Sequence, residues 1–119
     1  MTNQSVDLDQ LFHALADGTR RAVIERLSRG PASVSDLAGP LTLALPTLLQ
    51  HLRVLEAGGL IRSEKAGRVR TCRLEPAALR LAEQWLGDRR TLWERRLDRL
   101  GAYLDDLPEP DTREPGDTP

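Results

Sequence analysis

The chain has 119 residues and a formal net charge of −1, enough for one domain with a modest core, and this balance excludes a uniformly basic nucleic-acid-binding protein. Its one cysteine, Cys72, excludes an intramolecular disulfide and any metal site built from a pair of cysteines within the chain. No apolar run approaches the roughly 20 residues of a membrane span, and no signal peptide opens the chain. We therefore expect a cytoplasmic protein with no membrane partner.

The charge is unevenly distributed along the sequence. Residues 108–119 hold four acidic residues, one basic residue and several prolines, a composition that predicts a disordered acidic tail after a domain covering 1–107. The stretch 44–73 is the opposite, with six basic and two acidic residues. Such a local basic patch indicates an anionic partner, although the whole chain is nearly neutral.

The first part of the chain predicts two short helices. Leucine and phenylalanine recur at spacings of three and four over residues 8–15, which is typical of an amphipathic helix. Asp17 is a candidate N-cap for a second helix over 19–29. Gly30 followed by Pro31 is expected to end that helix.

The next two helices are predicted to form a helix-turn-helix pair. Ser33 and Asp36 have the spacing of a capping box and would open a third helix. Gly39-Pro40 is expected to begin the link to a fourth helix, which starts near Leu45 with a proline in its first turn. Gly58-Gly59 would end this fourth helix. Two short helices with a tight connection, the second with a free face, are typical of this motif.

The fourth helix has one apolar face and one available face. Helical periodicity places a leucine stripe on its inner side: Leu45, Leu48, Leu52 and Leu55. The side chains predicted to point away from that stripe are Thr47, Gln50, His51 and Val54, with Arg53 on the flank. Glutamine can bond adenine through two hydrogen bonds. We predict that Thr47, Gln50 and His51 approach base edges or phosphates, and that Arg53 approaches a phosphate.

A β-hairpin is predicted directly after this helix. Residues 60–65 and 69–74 are strand candidates, with Gly67 in the turn between them. Lys65, Arg68 and Arg70 lie near the tip, where they would neutralise phosphates and make binding dependent on salt. Alternation along the second strand turns Cys72 toward the body, which favours a buried thiol over a redox switch.

A long helix is predicted for the rest of the ordered chain. Pro76 suits its first turn, Gly87-Asp88 is expected to kink or split it, and Pro108 would end it. From Trp93 onward, apolar residues follow at spacings of 4, 3, 4 and 3 residues. This spacing is typical of a coiled-coil-like seam.

Three segments together resemble the ArsR/SmtB family of bacterial winged helix-turn-helix repressors, in the subgroup without recognisable metal-site motifs. They are ALADGTRRAVIERLSRGPASVSDLAGPL, LPTLLQHLRVLEAGGLI and the hairpin RSEKAGRVRTCRL. The resemblance implies a mainly α fold with a small β-hairpin, double-stranded DNA as partner, an operator palindrome and repression of transcription. It also implies a homodimer through the first and last helices, with interface residues Leu8, Leu11, Phe12, Leu15, Trp93, Leu97, Leu100 and Leu104.

Other functions have weaker support in the sequence. His13 and His51 are the only histidines, and the last helix has neither histidine nor cysteine, so we predict no metal site and no cofactor. A carboxylate-only metal site on the last helix stays open. No arrangement of residues predicts catalysis. The alternatives are a dimeric protein-interaction module that uses Leu49 and Val54, and a metal- or redox-responsive repressor; the effector is unknown.

Overall fold

The computed structural model describes residues 7–108. The chain divides into two compact units, Met1–Trp85 and Leu86–Pro119. The elements in chain order are α1 (Leu8–Leu15), α2 (Gly18–Leu27), β1 (Ala32–Ser33), α3 (Val34–Leu41), α4 (Leu45–Ala57), β2 (Ile61–Ala66), β3 (Val69–Leu74) and α5 (Pro76–Asp106). This architecture confirms the predicted mainly α fold with a small β-hairpin. None of the helices over 7–108 is both long and apolar enough to cross a membrane.

The predicted helix starts are confirmed in detail. The Asp17 carboxylate accepts a hydrogen bond from the backbone N–H of Arg20 at 3.1 Å, at the start of α2. At the start of α3, Ser33 Oγ accepts from the Asp36 N–H at 3.0 Å, and the Asp36 carboxylate accepts from the Ser33 N–H at 3.2 Å. This is a complete capping box, which satisfies backbone donors that a helix start otherwise leaves without partners.

The link between α3 and α4 begins later than predicted. Gly39-Pro40 does not end the helix, because α3 runs to Leu41 with Pro40 inside it. The proline removes one donor near the end of a short helix, where few further bonds depend on it. Thr42 ends the helix instead, with a left-handed backbone (φ 50°) and its N–H bonded to the Ala38 carbonyl at 3.1 Å. This conformation is unusual for a β-branched residue.

The described residues form a three-stranded antiparallel sheet in the order β1-β3-β2. The hairpin of β2 and β3 was predicted, and Gly67 in its turn has the expected positive φ of 64°. Strand β1 was not predicted, because two residues carry no periodicity. It pairs Ala32 with Cys72, so β3 is the central strand and Cys72 is fully buried, as the alternation predicted.

The hydrophobic core of the first unit is built mainly from leucine. Its buried members include Leu11, Val23, Leu27, Leu37, Leu48, Leu52, Leu55, Leu60 and Cys72. Two expectations are corrected here. Leu11, expected at the dimer interface, has 0% of its surface exposed and packs inside its own unit. Leu45, expected in the buried stripe of α4, is 52% exposed because it lies in the first turn, before the helix meets the core.

The end of α4 lies against α1. A Cβ added to Gly58 would lie 2.9 Å from the Gln10 carbonyl oxygen and 3.1 Å from the Ala14 Cβ. The left-handed conformation predicted for this glycine pair belongs to Gly59, with φ 75°. A side chain at position 58 would therefore collide with α1, whereas position 59 favours glycine because of its positive φ.

Helix α5 continues through Gly87-Asp88 without the predicted break. The boundary between the two units falls within this helix, after Trp85. In the second unit the helix presents large apolar side chains to solvent, and these are Leu86, Leu92, Trp93, Leu97, Leu100, Tyr103, Leu104 and Leu107. The predicted tail over 108–119 lies outside the described residues, apart from Pro108.

Candidate nucleic-acid interface

Helix α4 offers an exposed polar face. Thr47, Gln50 and Arg53 are all exposed, as the periodicity predicted, whereas Val54 is only partly exposed. Arg53 Nη1 donates a hydrogen bond to Gln50 Oε1 at 2.9 Å. The glutamine therefore keeps its amide N–H groups available, while its oxygen holds the arginine beside it.

His51 lies in a local network rather than on the open face. Its side chain is 19% exposed, and Nδ1 lies 3.3 Å from Arg20 Nη1 and 3.9 Å from Asp17 Oδ2. Arginine can only donate, so Nδ1 is the acceptor and the neutral ring carries its proton on Nε2. The sequence predicted that this residue approaches base edges or phosphates, and the structure gives its Nδ1 a local hydrogen bond with Arg20.

Arg20 joins three helices and was not recognised in the sequence. Its Nε donates to the Ala14 carbonyl at 2.8 Å and its Nη2 to the His13 carbonyl at 3.1 Å, both at the end of α1. Its Nη1 reaches His51 on α4, while Arg20 itself belongs to α2. Hydrophobic periodicity gives no signal for such a residue, since its role depends on carbonyls left open at the end of another helix.

The electrostatics of this network stabilise the Asp17 anion. The hydrogen bond from the Arg20 backbone N–H lowers the pKa of Asp17, and the nearby positive charge of Arg20 lowers it further. Burial acts against this shift without reversing it. The network thus holds a carboxylate and a guanidinium next to His51 of helix α4.

The basic residues of the hairpin fall into two groups. At its base, Arg62 lies 3.6 Å from a Glu75 carboxylate oxygen, and Arg73 lies 3.2 Å from Glu64. Nearer the tip are the exposed cations Lys65, Arg68 and Arg70, and none of their side chains forms a hydrogen bond or ion pair with another described residue. These three side chains, which we call the wing cations, are therefore free to contact an external anion.

A groove of about 590 Å³ brings the start of α4 and the hairpin tip together. Its lining residues are Ser33, Val34, Ser35, Leu45, Leu49, Lys65, Arg68, Val69 and Arg70. No acidic residue is among them, and three are cationic. The groove therefore joins the two elements that the sequence predicted to contact DNA, and we call it the wing groove.

The residues predicted for dimerisation fall into two environments. On α1, the side chains of Leu8, Phe12 and Leu15 are partly buried, and Phe12 contacts Trp85 edge-to-face with ring centroids 5.9 Å apart. In the second unit, Trp93 is 60% exposed. Leu97, Leu100 and Leu104 are likewise exposed there. Among residues 7–108, no group of three or more histidine, cysteine or acidic residues is arranged to hold a metal ion.

Helices α3 and α4 followed by a basic β2–β3 hairpin define a winged helix-turn-helix DNA-binding protein. A helix-turn-helix domain family model matches residues 15–64. The chain is 40% identical to the HTH-type transcriptional regulator Rv2034 of Mycobacterium tuberculosis over 97 residues, which are 82% of this chain and 88% of that protein. The chain is therefore a DNA-binding transcriptional regulator, not an enzyme.

Solved structures agree with this assignment. The crystal structure of an ArsR family transcriptional regulator is 53% identical, has a TM-score of 0.70, and matches 73% of this chain and 90% of that one. An ArsR-like transcriptional regulator from Rhodococcus sp. RHA1 is 32% identical with a TM-score of 0.76, over 85% of this chain and 93% of that one. These similarities show that the chain belongs to the ArsR family of transcriptional regulators.

Proposed function

We propose that the protein is a homodimeric repressor that binds a palindromic operator. Each subunit would place α4 in the major groove, with Thr47 and Gln50 toward the base edges. Arg53 and the wing cations Lys65, Arg68 and Arg70 would contact phosphates. The observation that carries this proposal is the wing groove, because it combines the start of an exposed helix with cations that have no described partner.

His51 has a different role in this proposal from the one predicted in the sequence. Its bond to Arg20 supports a positioning function, in which the network fixes the orientation of α4 against α1 and α2. The ring can still donate from Nε2 to a phosphate, because the bond to Arg20 uses only Nδ1.

Selection of bound duplexes from random DNA tests the proposal directly, and a palindrome with half-sites about one helical turn apart is expected. Affinity for the selected duplex should fall steeply with salt. Arg68→Ala should weaken binding to all sequences and reduce the salt slope by about 1, while Gln50→Ala should relax preference at one base pair by about 1–3 kcal/mol. Arg62→Ala is the matched control, since Arg62 lies beside Glu75 at the base of the wing. A flat salt dependence would refute the DNA-binding role of this face.

Dimerisation through α5 is supported by the solvent-facing apolar side chains of the second unit. An apolar stripe of this spacing is usually covered by a partner helix. Analytical ultracentrifugation of Leu100→Glu should show a monomer, whereas Arg99→Glu, which changes a neighbouring exposed residue, should stay dimeric. A dimer of unchanged affinity in Leu100→Glu would place the interface elsewhere.

A further inference from the structure

The wing groove has an apolar wall as well as a cationic rim. Leu45 is 52% exposed and Val69 is 53% exposed, and Leu49, which also lines the groove, is partly buried. Leu45 is the first residue of α4, the end of the recognition helix that helix-turn-helix proteins direct toward base edges. An exposed leucine at this position has no role in the protein's own core, so its apolar surface is available to a ligand.

The rim restricts what can occupy the groove. Lys65, Arg68 and Arg70 require an anion on one side, and the hydroxyls of Ser33 and Ser35 add hydrogen-bonding groups. The occupant must therefore present negative charge beside an apolar group. A DNA strand meets both conditions, because its phosphates flank the C5-methyl of thymine, the one apolar group that the bases expose in the major groove.

We propose that Leu45, supported by Leu49, contacts the C5-methyl of a thymine while the wing cations contact the neighbouring phosphates. Sequence preference at that base pair then comes from apolar contact, in addition to the hydrogen bonds of Gln50. This inference rests on the proposed DNA-binding function and assigns one part of its specificity to a residue outside the polar face of α4. Removal of one methyl from an apolar contact weakens binding about fourfold.

The test uses a duplex recovered by selection from random DNA and its analogues in which one thymine at a time is replaced by deoxyuridine, which removes only the methyl. We expect one thymine in each half-site whose replacement weakens binding about fourfold. In Leu45→Ala the same replacement should have little further effect, because the contact is already lost. Arg62→Ala is the control: it changes a residue at the base of the wing that lies beside Glu75 and outside the groove lining, and the fourfold methyl effect should persist in it. Leu45→Met should also keep the effect, since methionine is apolar and of similar volume.

The outcomes separate this inference from the function on which it rests. Failure to bind any duplex would refute the proposed function. Binding with no deoxyuridine effect, or selected sites without a recurring thymine, would overturn only the methyl contact. An equal methyl effect in Leu45→Ala and the parent protein would also overturn it. If the groove instead holds an acidic protein segment, Leu45→Ala would leave the affinity for every duplex unchanged, which refutes the proposal as well. The comparison of the selected duplex with its deoxyuridine analogues needs only the parent protein, so this part of the test does not depend on the folding of a variant.

Discussion

Replacing Arg20 with alanine should destabilise the first unit more than the loss of any other single cation near α1. The side chain donates to Ala14, His13 and His51, and the bonds to Ala14 and His51 are partly buried. At about 1 kcal/mol for each partly buried bond and less for the exposed one, the expected loss is about 2 kcal/mol. For a unit of this size the melting temperature should fall by about 8–16 °C.

Thermal and urea unfolding of Arg20→Ala and of the comparison variants below measure this effect. Arg21→Ala is the matched control, because its neighbouring guanidinium donates one exposed bond, to the Leu15 carbonyl at 2.8 Å, and should lose less than about 1 kcal/mol. Arg20→Lys should be intermediate, since a lysine keeps the charge but not the three-way fork. His51→Ala combined with Arg20→Ala should lose less than the sum of the single changes. Equal stability of Arg20→Ala and Arg21→Ala would refute the role assigned to this network.

Three further predictions follow from the packing and the pKa shifts. Gly58→Ala should cost about 1–3 kcal/mol in urea unfolding, since its Cβ would lie 2.9 Å from the Gln10 carbonyl oxygen. Gly101→Ala, inside α5 with open space at its Cβ, should instead stabilise by up to about 1 kcal/mol, and a tolerated Gly58→Ala would contradict the close approach. The lowered pKa of Asp17 means that its charge stabilises the fold above the ordinary carboxyl pKa and loses this effect as pH falls through the lowered value. The free energy of unfolding of Asp17→Asn, which keeps a capping group, should therefore differ most from that of the parent near neutral pH and converge with it in acid. A difference that is constant with pH would exclude the charge as the cause. Burial raises the pKa of the Cys72 thiol, so an aromatic disulfide reagent should modify it slowly in the native protein and rapidly in denaturant, and rapid native modification would contradict its buried position.

The sequence was sufficient for the features that depend on local chemistry. The capping box of Ser33 and Asp36 and the cap by Asp17 follow from residue type and spacing alone. The positive φ of Gly67 and the burial of Cys72 follow from turn chemistry and strand alternation. These features were predicted because the relevant partners lie within a few residues of each other along the chain.

The features that were missed depend on distant parts of the chain. Strand β1 exists only because β3 pairs with it, and Gly58 is required only because α1 lies against it. The Arg20 network needs the end of α1 and the side of α4 to meet, which no spacing rule describes. The same limit explains Leu45, whose periodicity matches the buried stripe although the core ends before its turn.

The left-handed Thr42 shows what sets the geometry of the DNA-binding motif. A β-branched residue in this conformation costs on the order of 1 kcal/mol, so the turn itself opposes the arrangement it connects. Leu37 of α3 and Leu48 of α4 are both buried in the same core cluster, so we infer that packing in this core, and not the turn, sets the positions of the two helices. Substitutions that relax the turn would add stability and leave the position of α4 unchanged. A cavity in the core under α4 would shift this helix without any change in its DNA-facing residues.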